Sequence, residues 1–248
     1  MLRKRVIPIL QVINEKLVKS YKYKNHKYVG DPLNAVRIFN QKEVDEIVVI
    51  DVEDYPQNEK KIDFDFIKDL ASECRMPFSY GGGISKLSDV EKLFNLGVEK
   101  IVINTHVYDN YNFIYQIAKN YGSQSIMLSV DINLDSQKNK KLYKWREAKI
   151  INLDIDNHIS KCVEMGVGEI LYNFVYREGT LNGFDFNSLD LVNESIKVPV
   201  IVNGGINSYD EINKLLKYKK VDACGVGALF IYYGPYNAVL ISYLPDRL

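Results

Sequence analysis

Eight short β-rich runs alternate with helical patterns along this chain, and that alternation restricts the fold more than any other feature. The runs are RVIPILQV (5–12), EIVVIDV (46–52), PFSYG (77–81), KIVINT (100–105), SIMLSVDI (125–132), EILYNFV (169–175), PVIVNG (199–204) and DACGVGAL (222–229). Helical spacing of apolar residues fills the intervals, as in PLNAVRIFNQKE (32–43), LSDVEKLFNLG (87–97), FIYQIAKNYG (113–122), HISKCVEMG (158–166) and SYDEINKLLKYK (208–219). Strands joined through a helix run parallel, because a parallel return needs a crossover. Nearly all the runs are continuously apolar, as burial of both sheet faces demands. Eight such units in 248 residues predict an α/β fold, a (β/α)8 TIM barrel; a doubly wound open sheet is the alternative.

The chain also repeats itself. PFSYGGGISKLSDVEKLFNLGVEKIVINT (77–105) echoes PVIVNGGINSYDEINKLLKYKKVDACGVGA (199–228), and VDEIVVIDVEDY (44–55) echoes VGEILYNFVYRE (167–178), each at an offset of about 122 residues. One barrel domain over 1–248 is therefore expected to consist of two half-barrels, about 1–122 and 123–248. The repeat makes Gln11, near the end of the first run, equivalent to Asp131 near the end of the fifth.

Composition excludes several function classes. Lys plus Arg and Asp plus Glu both number 32, so a general nucleic-acid or acidic-membrane binder is not expected. The apolar stretches are strand-length, short of the roughly 20 residues that span a bilayer, and no cleavage-site pattern follows the basic first residues. Cys74, Cys162 and Cys224 lie far apart in apolar settings and read as structural, in keeping with a reducing cytoplasm. They and the scattered His26, His106 and His158 make no metal box, and no cofactor is expected.

Chemistry in such a barrel gathers at the C-terminal ends of the strands. Gly82 and Gly83 follow the third run, and Gly204 and Gly205 the seventh; helix starts come next, at Ser85 or Ser88 and at Ser208. Glycine lets backbone approach an anion closely, and a helix start supplies N–H donors. With Asn104 and Thr105 ending the fourth run and Gly227 and Ala228 the eighth, two phosphate cradles face each other across the mouth. Polar residues at strand ends are Gln11, Lys19, Asp51, Asn104, Asp131, Asn173 and Asn203. Asp131 is the best general acid/base candidate, since a partly apolar setting raises a carboxyl pKa toward the working range. Gln11 can only orient a ligand by hydrogen bonds. Asp51 suits proton transfer and a structural role about equally. The Lys- and Tyr-rich stretch 19–28 and the polar stretch 135–149 follow strands at the same face. At the opposite face Arg5, Glu46, Lys100 and Glu169 begin four strands; on pattern alone they form a ring of salt bridges that plugs the barrel bottom.

LRKRVIPILQV, LVKSYKYKNHKYVGDP, PFSYGGGI, GVEKIVINT, YGSQSIMLSVD, REGTLNGFD, VPVIVNGGI and VDACGVGALF resemble the HisF family, the cyclase subunit of imidazole glycerol phosphate synthase, along nearly the whole chain. The resemblance implies two phosphate sites, a HisH-like glutaminase docked under the barrel, and ammonia travelling up its centre. It makes Arg5, Glu46, Lys100 and Glu169 the ammonia gate and places Glu99 against the partner. Lys19, Asp51, Gly82, Gly83, Asn104, Gly204 and Gly205 match the family, but three departures stand out. Gln11 replaces the first of two catalytic aspartates, Asp131 being the second. Ile151 and Asn152 fall where the family has Thr-Gly, and Asn173 and Asn203 where it has hydroxyl residues. Losing a proton-transfer residue typically costs a factor of roughly 10²–10⁴. The expected function is therefore that of a HisF-like paralogue delivering ammonia in bacterial surface-glycan (LPS or O-antigen) synthesis. A separate ATP-dependent sugar amidotransferase would convert an acetamido group on a nucleotide-linked sugar to an acetamidino group. An authentic cyclase using Asp131 and Asp51, and a non-catalytic conduit and scaffold, are the alternatives.

Overall fold

The computed structural model describes residues 3–53 and 62–244; Asp54 and Tyr55, the end of the second repeat pair, lie outside them. Eight strands close a parallel barrel: β1 (Arg5–Ile13), β2 (Ile47–Asp51), β3 (Phe78–Gly81), β4 (Lys100–Ile103), β5 (Ile126–Leu134), β6 (Glu169–Phe174), β7 (Val200–Asn203) and β8 (Ala223–Val226). Each pairs with the next, and β8 returns to β1 with Ala223 opposite Arg5. The expected barrel is thus the observed one, with strand limits displaced by up to three residues.

The continuous apolarity of the runs has two destinations. Inward-pointing Ile7, Ile9, Val48, Val102, Met127, Leu171, Ile201 and Ala223 fill the barrel centre. The alternate positions pack outward on helices such as Pro32–Gln41, Leu87–Asn95, Asn112–Tyr121, Ile155–Glu164 and Tyr209–Lys217. Phe64–Glu73 is a further helix between β2 and β3, capped by Asp63 accepting from the Phe66 amide.

The structure departs from the expected layout in four places. The 19–28 stretch is a β-hairpin, not a loop: Lys16–Tyr21 pairs antiparallel with β1 and with Lys24–Gly30. The 135–149 stretch likewise forms strands Lys140–Lys144 and Lys149–Ile151, which extend β5; Ile151 ends that hairpin and Asn152 follows it, exposed. Between β6 and β7 the chain makes 3-10 turns at Val175–Arg177 and Phe186–Leu191 in place of an α-helix. The helix after β3 starts at neither serine. Its cap position is Lys86, in extended backbone, and Asp89 places an acid in the first turn. Ser208 does cap its helix, accepting from Glu211 N.

The sequence repeat is accompanied by a repeat of backbone conformation. Gly82 and Gly204 have φ of 129° and 128°, and Gly83 and Gly205 71° and 81°. A Cβ at Gly82 would lie 2.7 Å from the Asp51 carbonyl, and one at Gly204 2.7 Å from that of Phe174. Both glycines are required by position as well as by dihedral.

Candidate functional site

At the N-terminal end of the barrel four charged side chains make a closed ring. Arg5 binds Glu46 at 2.7 Å and also Glu169; Lys100 binds Glu46 at 2.9 Å and Glu169 at 2.8 Å. Ser79 Oγ donates to Glu46 at 3.0 Å. Each carboxylate thus holds two cations, which compensates two nearly buried acids. Burial pulls the Arg5 guanidinium down, but Glu169 and then Glu46 outweigh it and hold the group above its usual value. Glu99 is exposed beside the ring. Above the ring lies the apolar layer of the barrel centre.

At the C-terminal end, strand register assembles the polar residues. Asp131 lies opposite Asn173, Asn173 opposite Asn203, and Asn203 opposite Gly225. Asn173 Nδ2 donates to Asp131 at 2.7 Å and to Tyr23 Oη at 2.8 Å. Asn203 Nδ2 donates to Asn173 Oδ1 at 2.8 Å and to Glu178 at 3.2 Å. Glu178 also pairs with Lys19, whose ammonium rests where a Cβ on Gly227 would be. Gln11 completes the circuit: its Oε1 accepts from Ser20 N at 3.1 Å and Ser20 Oγ at 2.8 Å, and its Nε2 donates to Glu178 at 3.4 Å. The amides and the ammonium are sources and the two carboxylates are sinks, so the directions agree around the network.

All of these side chains are buried, because the two hairpins cover the mouth. Tyr23, at the first hairpin's tip, packs on Trp145 of the second with ring centroids 5.6 Å apart, over a small core of Val18, Val52, Tyr143 and Val175. Burial, with the Glu178 charge adding to it, raises the Asp131 carboxyl to about 6; hydrogen bonds from Asn173, Ser129 and Asn104 oppose the shift. Burial and the neighbouring Asp131 and Glu178 charges push the Tyr23 phenol well above its ordinary value, so it stays neutral. Asp51 binds a separate set of donors, accepting from Glu53 N at 2.9 Å and Tyr80 Oη at 3.4 Å.

Asn104 precedes the short helix Thr105–Asp109, and Gly227 and Ala228 sit at the end of β8. Burial pushes the free thiols of Cys74, Cys162 and Cys224 up to about 12, so they stay protonated. The described residues hold no cluster of metal-ligating side chains, and no helix among them is long and apolar enough to cross a membrane.

Three members of the network, Glu178, Ser20 and Tyr23, do not stand out in the sequence as single positions. Glu178 lies past the end of β6 beside Arg177, where a charged pair reads as solvated surface. Its signal is position alone: an acid just beyond a barrel strand's C-terminal end.

The family model described as "Histidine biosynthesis protein" matches residues 5–237. The chain belongs to this family. Relatives within the family carry the names of imidazole glycerol phosphate synthase HisF subunits. It is 38% identical over 244 residues to a Vibrio vulnificus protein provisionally named imidazole glycerol phosphate synthase subunit hisF3, covering 98% of this chain and 94% of that one. A Pseudomonas aeruginosa protein provisionally named hisF2 is 39% identical over 246 residues, covering 99% and 97%. A Leptospira interrogans HisF, also provisionally named, is 37% identical over 248 residues, covering 100% and 97%. The chain is a HisF-like member of the family.

Proposed function

We propose that this chain is the ammonia-accepting barrel of a glutamine amidotransferase pair, and that its nitrogen goes to a nucleotide-linked sugar rather than into an imidazole ring. The observation that carries this reading is the state of Gln11. Its carbonyl is taken by Ser20 and its amide is aimed at Glu178. An aspartate there would set a second carboxylate against Glu178, so the network as built calls for an amide. With no proton-transfer group on β1, the two-carboxylate chemistry of the cyclase lacks one partner.

The other end of the barrel keeps what ammonia delivery needs. In this reading a HisH-like glutaminase docks on the face carrying Glu99 and the ring, in the cytoplasm. The ring opens to pass ammonia, and the apolar centre conducts the neutral molecule while holding ammonium and water back. A separate ATP-dependent amidotransferase then activates the acetamido oxygen by phosphoryl or adenylyl transfer. Ammonia forms the new C–N bond at the amide carbon, and the activated oxygen leaves with the transferred group. Phosphorylated ligands of the barrel would sit in the cradles at Gly82–Gly83 with Asn104 and Thr105, and at Gly204–Gly205 with Gly227 and Ala228.

The test supplies the purified barrel with the bisphosphorylated aminoimidazole-carboxamide substrate of the cyclase and an ammonium salt. No imidazole product is expected. Turnover that Asp131→Asn abolishes would overturn the reading. A second reading, conduit without chemistry, is favoured by the fact that Gln11, Lys19, Asp131, Asn173, Asn203 and Glu178 all find protein partners. It predicts strong stimulation of the glutaminase and no ligand bound by the barrel.

The ring has its own test. Lys100 is one of only two cations in it and bridges both acids. Lys100→Ala should raise glutamine hydrolysed per nitrogen transferred several-fold in the assembled complex. An unchanged ratio would remove the gate assignment.

A further inference from the structure

A cleft of about 360 Å³ opens on the rim of the mouth, outside the covered chamber, between both hairpins and the loop after β6. Lys22 contributes from the first hairpin, Lys138 and Lys140 from the second hairpin region, and Arg177 and Thr180 from the loop. Among the described residues Asp185 is the only carboxylate in the lining, and it is occupied: it accepts from Tyr176 Oη at 2.6 Å and Ser188 Oγ at 2.9 Å and pairs with Lys140 at 3.4 Å. Four cations against one committed anion leave a concave surface with a charge deficit that a small multivalent anion fills. Its volume falls in the range of small-ligand clefts, roughly 300–1,000 Å³. We propose that this cleft is an anion subsite for a diphosphate group, and that the diphosphate of a nucleotide-linked sugar occupies it. The sugar identity rests on the function proposed above; the anion chemistry does not.

The cleft is built into the cover of the chamber. Lys22 and Tyr23 both adopt left-handed backbone, with φ of 55° and 56°. The first lines the cleft, while the second hydrogen-bonds with Asn173 beside Asp131. The Lys22 amide donates to the Glu178 carbonyl at 2.8 Å, so the hairpin tip is tied to the same loop segment that carries Arg177. An anion bridging Lys22, Lys138 and Arg177 would therefore fasten the hairpin over the chamber.

The experiment titrates the full-length chain with pyrophosphate and with UDP-N-acetylglucosamine by calorimetry, as wild type and as the K22E/K138E variant. Both replaced residues are exposed, and a thermal melt monitors folding. The expected result is binding of both probes by the wild type, weakened at least about tenfold in the variant. No pyrophosphate binding, or equal binding by wild type and K22E/K138E, overturns the cleft and leaves the glycine cradles as the only anion sites in view. Variant-sensitive binding of pyrophosphate without binding of the UDP-sugar upholds the anion subsite and removes the nucleotide-sugar occupant.

Discussion

Asp131→Asn is expected to stabilise the folded barrel by about 3 kcal/mol at pH 8 and to leave it unchanged near pH 4. Burial, then the like charge of Glu178, raises the folded-state carboxyl of Asp131 from 3.8 to about 6, against hydrogen bonds that favour its charged form. A group whose folded pKa lies above its unfolded value binds more protons when folded. Its contribution is fully favourable below the unfolded pKa and is lost as pH rises through 6. Above that point the wild type carries a buried charge that folding must desolvate. Asparagine keeps the shape and the oxygen that accepts from Asn173 at 2.7 Å, and removes the charge. Urea unfolding of both proteins at pH 4, 6 and 8 measures the difference, with gains growing toward alkaline pH. A difference that is flat with pH would mean that Asp131 is not a desolvated carboxylate in the folded protein.

A gain of that kind from a single conservative change marks a position held for something other than stability. A carboxyl near 6 exchanges protons close to physiological pH. Asp131 thus keeps the property a proton-transfer group needs, while β1 offers only an amide. Under the proposed function, a lone general acid or base at the mouth suits proton management for ammonia delivered there in neutral form. It does not supply the second group that a two-step ring closure requires.

The barrel is legible in the sequence because each strand is apolar on both faces, a pattern that burial between a barrel centre and a layer of helices demands. The hairpins over the mouth are not legible. In Lys24–Gly30 only Val29 is fully buried, so no apolar alternation marks the strand. The turn at Lys22 and Tyr23 adopts left-handed backbone without the glycine or asparagine that usually announces it. The break in the β6–β7 crossover is hidden for a related reason: short 3-10 turns leave no helical period. Within the site, Asp131, Asn173 and Asn203 can be read because polar residues end apolar strands, and parallel register sets them side by side. Glu178 cannot, since two of its side-chain partners, Gln11 and Lys19, lie on segments more than 150 residues away. Gln11 is a hydrogen-bonding amide in sequence and structure alike, but what it bonds to depends on the fold.

Lys19→Met is expected to destabilise the protein by about 3–5 kcal/mol at neutral pH, and adding Glu178→Gln should recover most of that loss. Lys19 and Glu178 are only 3% and 4% exposed at their side chains, so water screens their interaction little. Taking the ammonium away leaves Glu178 with the neutral donors Gln11 and Asn203, at 3.4 and 3.2 Å, which do not balance a full buried charge. Glutamine at 178 removes the charge and keeps an oxygen for one of the two donors, which bind different carboxylate oxygens of Glu178. A double-mutant cycle in chemical denaturation therefore should show coupling well beyond the few tenths of a kcal/mol found between independent sites. If Lys19→Met costs under about 1 kcal/mol, as for an exposed pair, the pair is wetted and the cover over the chamber is looser than the structure draws it. The pair also bears on ligand entry. Lys19 rests against Gly227 at the proposed β7–β8 cradle, where a bound phosphate would compete with Glu178 for the same ammonium. Glu178→Gln alone should then tighten binding of inorganic phosphate to the barrel, and a variant that binds it as weakly as the wild type would detach Lys19 from ligand recognition.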